Sequence, residues 1–500
     1  MKPYADYTRS ERCAEYTALQ EQYEAWKTKQ LSLNMARGKP SRAQLDMVSG
    51  ILTVLQSPED CFDGALDVRN YGELTGIPSA KRLFAELLGV MPSQILVGGS
   101  ASLNLMYDLI AKAWTHGLLH SPRPWSQEPA VRFLCPAPGY DRHFRVSQSF
   151  GMELIPIAMT PDGPDMDAVE AAVRDPAVKG IWCVPKYSNP QGIVYSDAVV
   201  DRLAALRPAA PDFALMWDNA YCLHEVYGQF VPFRDMLTLC REAGNADMVY
   251  EFASTSKITF PGAGVAVMAA SEANLKYLSG LLGAQTISYD KVNQLRHVRF
   301  LQDKAHVLEL MQRHAAILRP KFELVNAKLQ EGLDEVGGCS WSNPRGGYFV
   351  SFEGPAGTAR RTVELAREAG VTMTGAGATY PYKQDPRDSN IRIAPSLPPV
   401  AELEQAALEQ ENRNKRQHAG QRQHDAHINR RLHGFAGSGF QRKGIQPELS
   451  GLAGEPRKRS EKRNGHKRRD NQHVKRLDSL YHRVIKFYLS NICSCRRSRG

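Results

Sequence analysis

The stretch FALMWDNAY, residues 213–221, is an apolar run that ends in a carboxylate, Asp218, with Tyr221 three positions further on. An unbroken apolar run suits a strand covered on both faces, the usual condition of a parallel sheet. A carboxylate at the end of such a strand costs free energy unless a cation meets it, so Asp218 asks for a partner. Six further runs have the same character: QILVG (94–98), VRFLC (131–135), ELIPIA (153–158), GIWCVP (180–185), MVYEFA (248–253) and GVAVMAA (264–270). Helical stretches separate most of them. That alternation predicts an α/β fold with a large domain built on a mostly parallel, seven-stranded sheet.

Outward from this block the pattern changes. From Asp290 to about Glu335 it is helical, and then GGYFVSF (346–352) reads as a strand, TARRTVELAREAG (358–370) as a helix closed by Gly370, and NIRIAP (390–395) as another strand. This predicts a small α+β domain. The expected division is an N-terminal segment 1–49 packing on the small domain, a large domain 50–295, a small domain 296–410 and a basic tail 411–500.

Of 500 residues, 42% are apolar and 23% charged, which is ordinary for a globular protein. The net charge of +10 is unevenly placed: residues 411–500 hold 23 of the 63 Lys and Arg but 7 of the 53 Asp and Glu. Positions 1–410 therefore carry 40 basic against 46 acidic residues, or −6, and the tail carries +16. Nothing in the body points to a polyanionic partner. The tail has almost no apolar periodicity and is expected to be disordered, because it cannot bury enough surface to offset its ordering entropy. No run reaches the roughly 20 apolar residues of a membrane span, and MKPYADYTRSERCAEY lacks the apolar centre of a signal peptide. The nine cysteines are scattered apart from Cys493 and Cys495, so reduced thiols and a cytoplasmic location are expected.

Polar residues just after strands of a doubly wound sheet meet in one crevice. Ser100, Ala101 and Ser102, after Gly98-Gly99, open an amphipathic helix whose free N–H groups suit a phosphate. Tyr140 follows VRFLC, where an aromatic could stack on a flat ring. Asn189 lies in the turn SNPQG and can donate its amide to a ring oxygen. Lys257 ends STSK after MVYEFA, and an amine in apolar surroundings has a depressed pKa and is a nucleophile toward an aldehyde. Each signal alone is common: a glycine turn, a core-edge Tyr, a snorkelling Lys.

Their order and spacing are distinctive. LNMARGKPS, YGELTGIPSAKRLFAELLG, GGSASLNLMYD, PGYDRHF, PKYSNPQG, WDNAY, STSK and GGYFVSFE together resemble the fold-type-I pyridoxal-phosphate-dependent aminotransferases of class I/II, and within them the aspartate aminotransferase subgroup Ic. The resemblance covers about residues 1–405. It implies pyridoxal 5'-phosphate as cofactor, Lys257 as the Schiff-base lysine, and Asp218 as the carboxylate that keeps the pyridine nitrogen protonated. It implies further that Tyr140 stacks on the ring, that Asn189 and Tyr221 bond its phenolic oxygen, and that Ser100, Ala101, Ser102, Ser254 and Ser256 surround the phosphate. Tyr71 matches a tyrosine that reaches the partner subunit's phosphate site, implying a homodimer with shared active sites. Gly38, Asn189 and Arg392 are the implied substrate-binding residues, with Arg392 clamping the α-carboxylate. The implied reaction moves an amino group from aspartate to 2-oxoglutarate.

Two departures stand out. Many relatives carry an arginine a few residues after the lysine, facing the phosphate, whereas ITFPGAGVA follows Lys257 and places Ala263 or Gly264 there. Hydroxyls, backbone and a partner residue such as Thr286 are left for the phosphate. The second departure is the switch after about Gln405 from family-like to unpatterned basic sequence, which a reading-frame shift or a genuine appended tail would each produce. Arg37, Lys39 and Arg296 are candidates for a distal carboxylate. Carbon–sulfur lyase or decarboxylase chemistry uses the same Lys and Asp, and a nucleic-acid-binding regulator could use the tail electrostatically, although the tail lacks interleaved aromatics. A metal site from His418, His424, His427 and His433, or from Cys493 and Cys495, lacks the patterning of a folded site, and no metal is expected.

Overall fold

The computed structural model describes residues 7–333 and 338–403. The expectations for the tail, its histidines and Cys493 and Cys495 lie outside the described residues.

The central sheet has strands β1 (Ile95–Val97), β2 (Arg132–Ala137), β3 (Glu153–Thr160), β4 (Gly163–Pro164), β5 (Val178–Cys183), β6 (Ala214–Asp218), β7 (Val249–Ser254) and β8 (Ala266–Ala270). Their order across the sheet is β1-β8-β7-β6-β5-β2-β3-β4. Strands β7, β6, β5, β2 and β3 are parallel neighbours, and β8 runs antiparallel between β1 and β7. The seven apolar runs supply seven of the strands. The eighth is the two-residue β4, paired antiparallel to the end of β3, which is too short to leave a periodic signal.

Each strand buries alternate residues on opposite faces, as a period of two requires. Ile95, Leu134, Ile181, Leu215, Trp217 and Val249 enter one core, while Leu96, Phe133, Trp182, Met216, Tyr250 and Phe252 enter another on the far face. Helices cover both sides. This double burial is why the runs read as continuously apolar.

A third core surrounds the small sheet formed by Ser340–Trp341, Val350–Glu353 and Asn390–Ile393. The helix Lys304–Leu333 joins the units: Val307, Leu310 and Met311 pack in a large-sheet core, and Leu318, Phe322, Val325 and Leu329 in the small one. Pro320 lies just past the changeover, between Leu318 and Phe322, and breaks one helical hydrogen bond.

The N-terminal helix Arg9–Lys27 starts with a capping box between Thr8 and Glu11. Its Leu19, Tyr23 and Trp26 belong to the third core. The chain then pairs Leu33–Asn34 with Val371–Thr372 in parallel and crosses toward the large unit, where Val48 is buried in a large-sheet core. Residues 35–41 thus pass the mouth of the crevice between the two units.

Candidate active site

The register aligns Asp218 at the end of β6 with Phe252 of β7, so the chain leaves both strands at one edge of the sheet. The loops after β1, β2 and β5 open at the same edge. They enclose a cleft of roughly 940 Å³, part of it open to solvent, whose lining includes Gly38, Ser102, Tyr140, Asn189, Asp218, Tyr221, Lys257 and Arg392.

Asp218 is buried at the floor. Its Oδ2 lies 2.9 Å from His143 Nε2, and the His143 ring is stacked on Trp182 with centroids 4.4 Å apart. A carboxylate oxygen accepts, so Nε2 carries the proton. The other oxygen, Oδ1, is buried and has no hydrogen-bond partner among the described residues. A buried, half-partnered carboxylate is costly and fits a cationic group brought in by a ligand.

Lys257 follows β7 in a turn closed by Ile258 N–H to Thr255 O at 2.9 Å. Its Nζ sits 4.9 Å from the centre of the Tyr221 ring. Burial pushes the Lys257 amine below the usual lysine range, partly opposed by the Asp218 charge. The result is an amine with a raised share of the neutral, nucleophilic form. Burial and the charges of Asp218 and Asp141 push the Tyr140 hydroxyl up to about 12, and burial also raises Tyr221, so both phenols stay protonated donors.

The loop 98–102 is tied to β8 by Gly98 N–H to Ala266 O and Ala266 N–H to Gly99 O, each 2.8 Å. Ala101 is the N-cap of helix Ser102–Thr115 and supplies no side-chain cap. Ser254 Oγ bonds Ser256 Oγ at 3.1 Å, and Ser256 Oγ reaches Ser100 O at 3.5 Å, so the two serine loops adjoin. Hydroxyls and open helix N–H groups there form a cradle for a phosphate. A Cβ on Gly264 would meet Ser100 O at 3.1 Å and Thr255 Oγ1 at 3.2 Å, tight contacts that leave little room for a longer side chain. Thr286 Oγ1 donates to Ser288 O.

Arg392, buried at the opposite wall, donates from Nη1 to Asp141 Oδ1 at 3.0 Å and Asn189 Oδ1 at 3.1 Å, and from Nη2 to Thr374 Oγ1 at 3.2 Å. Its guanidinium lies 4.8 Å over the Phe349 ring. Because Asn189 Oδ1 accepts from Arg392, its amide nitrogen is turned the other way as a donor. Gly38 packs so closely that a Cβ would come within 2.8 Å of Phe349 Cζ. Arg37, Lys39 and Arg142 also line the cleft, whereas Arg296 is not in its lining and bonds Asn293. Tyr71 is 78% exposed and outside the cleft of its own chain.

The matching family model, aspartate amino-transferase, spans residues 7–410. The chain belongs to the aspartate amino-transferase family. Aspartate aminotransferase of Corynebacterium glutamicum is 46% identical over 388 residues, which is 78% of this chain and 90% of that protein. The crystal structure of an aspartate transaminase from Corynebacterium glutamicum has 45% identity and a TM-score of 0.78, covering 80% of this chain and 94% of that one. LysN, an alpha-aminoadipate aminotransferase from Thermus thermophilus complexed with N-(5'-phosphopyridoxyl)-L-leucine, shares the fold at 20% identity, with a TM-score of 0.60 over 76% of this chain and 92% of that one.

Within this aminotransferase fold, sequence reading missed three features. His143 lies one turn beyond Tyr140 on helix Asp141–Ser149, so its spacing from a noted residue was a usable signal. The hold of Asp141 and Thr374 on Arg392 had none, since the partners are 251 and 18 residues away. His224 is buried against Tyr221 and Tyr348, and burial together with the Lys257 charge keeps it well below the usual histidine range. Among the described residues no helix is long and apolar enough to cross a membrane.

Proposed function

We propose that this aminotransferase acts in the cytoplasm as a homodimer on aspartate and 2-oxoglutarate, with pyridoxal 5'-phosphate held in the cleft. The observation that carries the reading is the buried Asp218, one oxygen on His143 and the other without a hydrogen-bond partner among the described residues, on the same cleft floor as a desolvated Lys257. When bound, the cofactor supplies an aldehyde and a ring that draws electrons from the substrate α-carbon.

The chain's own residues do the rest. Asp218 keeps a proton on the ring nitrogen by presenting Oδ1 to it, and His143 fixes the carboxylate so that little reorganisation is needed. Lys257 Nζ would hold the cofactor through its aldehyde and, once the substrate amine has displaced it and freed the amine, would be the base that moves the proton of the substrate α-carbon. Tyr140 stacks on the ring, and Asn189 and Tyr221 donate to its phenolic oxygen. Ser100, Ala101, Ser102, Ser254 and Ser256 hold the phosphate through hydroxyls and N–H groups, and the exposed Tyr71 completes the same site in the partner subunit. Arg392 binds the α-carboxylate in a bidentate fork beside the Gly38 backbone. Arg37, Lys39 and Arg142 give the cleft the positive charge a second carboxylate requires.

The test is direct. Protein loaded with pyridoxal 5'-phosphate should absorb in the visible region, change spectrum on addition of aspartate, and form glutamate and oxaloacetate in equal amounts when 2-oxoglutarate follows. Release of carbon dioxide or ammonia without glutamate would replace transamination by decarboxylation or elimination.

A further inference from the structure

We infer that Gln44, His314 and Tyr348 form a positioning network that fixes the backbone at Lys257 and Ile258 and so places the Lys257 amine in the cleft. The inference rests on the reading of Lys257 given above. The three residues come from distant parts of the chain: Gln44 from helix Arg42–Met47, His314 from helix Lys304–Leu333, and Tyr348 from the segment before strand Val350–Glu353. Each is no more than 1% exposed. Yet the network ends on two consecutive main-chain carbonyls of the loop that carries the lysine.

Every proton in it has one assignment. Ile258 O can only accept, so His314 Nε2, 3.0 Å away, carries its hydrogen. His314 Nδ1 is then an acceptor and receives a hydrogen bond from Gln44 Nε2–H at 3.1 Å. Gln44 Oε1 is occupied by Ser41 N–H at 3.0 Å, which fixes the amide orientation, and its second N–H goes to Tyr348 Oη at 3.0 Å. Tyr348 retains its own proton and directs it to Lys257 O, at the longer distance of 3.5 Å. A second proton on His314 would oppose the Gln44 N–H. Burial accordingly holds this histidine down to about 4.

The opposite side of the network touches the lysine's surroundings. The Tyr348 ring is stacked 6.2 Å from Tyr221, the ring over which Lys257 Nζ lies. Gly38, at the cleft mouth, approaches so closely that a Cβ would be 2.9 Å from Tyr348 Cβ. A shift of Tyr348 or of the 257–258 carbonyls would therefore move the amine relative to Asp218 and Tyr221. Misplacement on the scale of an ångström is enough to slow a bound reaction about a hundredfold.

The experiment compares His314→Leu, His314→Gln and Tyr348→Phe in the cofactor-loaded enzyme, reading the pH midpoint of the visible absorbance together with kcat and KM. Wild type and Lys257→Ala are the controls: a visible band that Lys257→Ala fails to remove would overturn the lysine's role itself, separately from the network. With that role intact, His314→Leu should lower kcat about tenfold with KM within about twofold, and should displace the absorbance midpoint. His314→Gln, which keeps an N–H for Ile258 O, should recover most of both. Tyr348→Phe keeps the ring and loses only the hydroxyl, so it should move the midpoint in the same direction by less. A variant set that lowers the melting temperature but leaves midpoint, kcat and KM at wild-type values would overturn the inference. So would insolubility of both His314→Leu and Tyr348→Phe, which would make the network a requirement of folding instead of lysine placement.

Discussion

Asp212 and Asp218 bracket strand β6, and both are buried. At the start of the strand, Asp212 Oδ2 accepts from Ser121 Oγ at 2.6 Å and Trp125 Nε1 at 2.8 Å, while Oδ1 faces Lys179 Nζ at 2.8 Å. At the end, Asp218 has His143 on one oxygen and, among the described residues, no hydrogen-bond partner on the other. Glu251 on the neighbouring β7 is a third case: it accepts from Asn219 Nδ2 at 2.8 Å, has no cation in its hydrogen bonds among the described residues, and burial pushes its carboxyl up to about 7. The three show that burial of a carboxylate does not by itself mark function. What distinguishes Asp218 is capacity left over at an edge of the sheet where the chain opens into a cleft.

The sharpest test of that contrast starts at its cationic side. Lys257→Ala should lower transamination by roughly 10³-fold or more and remove the visible absorbance of the cofactor-loaded protein, with unfolding in denaturant little changed. Activity above a trace would mean that another amine does the work.

Next, the two aspartates should respond oppositely to the same change. Asp218→Asn should reduce kcat about 10²- to 10³-fold while stability is held or raised, because a half-paired buried charge is gone. Asp212→Asn should cost about 3 kcal/mol in denaturant unfolding and leave kcat per folded enzyme unchanged, since it removes the nearer partner of the buried Lys179 and leaves it Glu128 Oε1 at 3.4 Å. Equal kinetic damage from both would break the comparison.

Glu251 adds a pH dependence of known sign. Its folded pKa is above the unfolded value, so the folded state holds the proton more tightly, and the stability this contributes is present below about pH 4.5 and lost as pH rises through about 7. Glu251→Gln should therefore unfold at higher denaturant than wild type at pH 8, by at most roughly 3 kcal/mol, and match it near pH 4.5. An advantage that grows on acidification would reverse the assignment.

The smallest effect is expected at the far wall. Arg392→Lys should weaken every amino and keto acid by about the same factor, near tenfold, because a lysine cannot reproduce the planar fork. A loss confined to dicarboxylic substrates, measured as KM for aspartate against alanine, would make Arg392 the distal group instead.

The strand-end residues were legible in the sequence because a parallel sheet writes itself into sequence as apolar runs, and the polar residues after those runs can point nowhere but the crevice. Tyr140, Asn189, Asp218 and Lys257 were found this way, and their order led to the family. Tyr71 was singled out only through the resemblance, and nothing about its neighbours indicates that 78% of it would be exposed. The tail's charge could be counted, but its conformation lies outside the described residues.

By itself, then, the sequence determined the layered sheet, the loops that face its open edge and the residue types suited to a phosphate, a ring and a carboxylate, all of which follow from periodicities within a few residues. Only the tertiary structure decided which oxygen of Asp218 is free, that Asp141 and Asn189 share Arg392, and that Gln44, His314 and Tyr348 converge on the carbonyls of Lys257 and Ile258. Those contacts join positions up to 304 residues apart, and hydrogen bonds over such separations depend on how the three cores pack against one another, which no local pattern records.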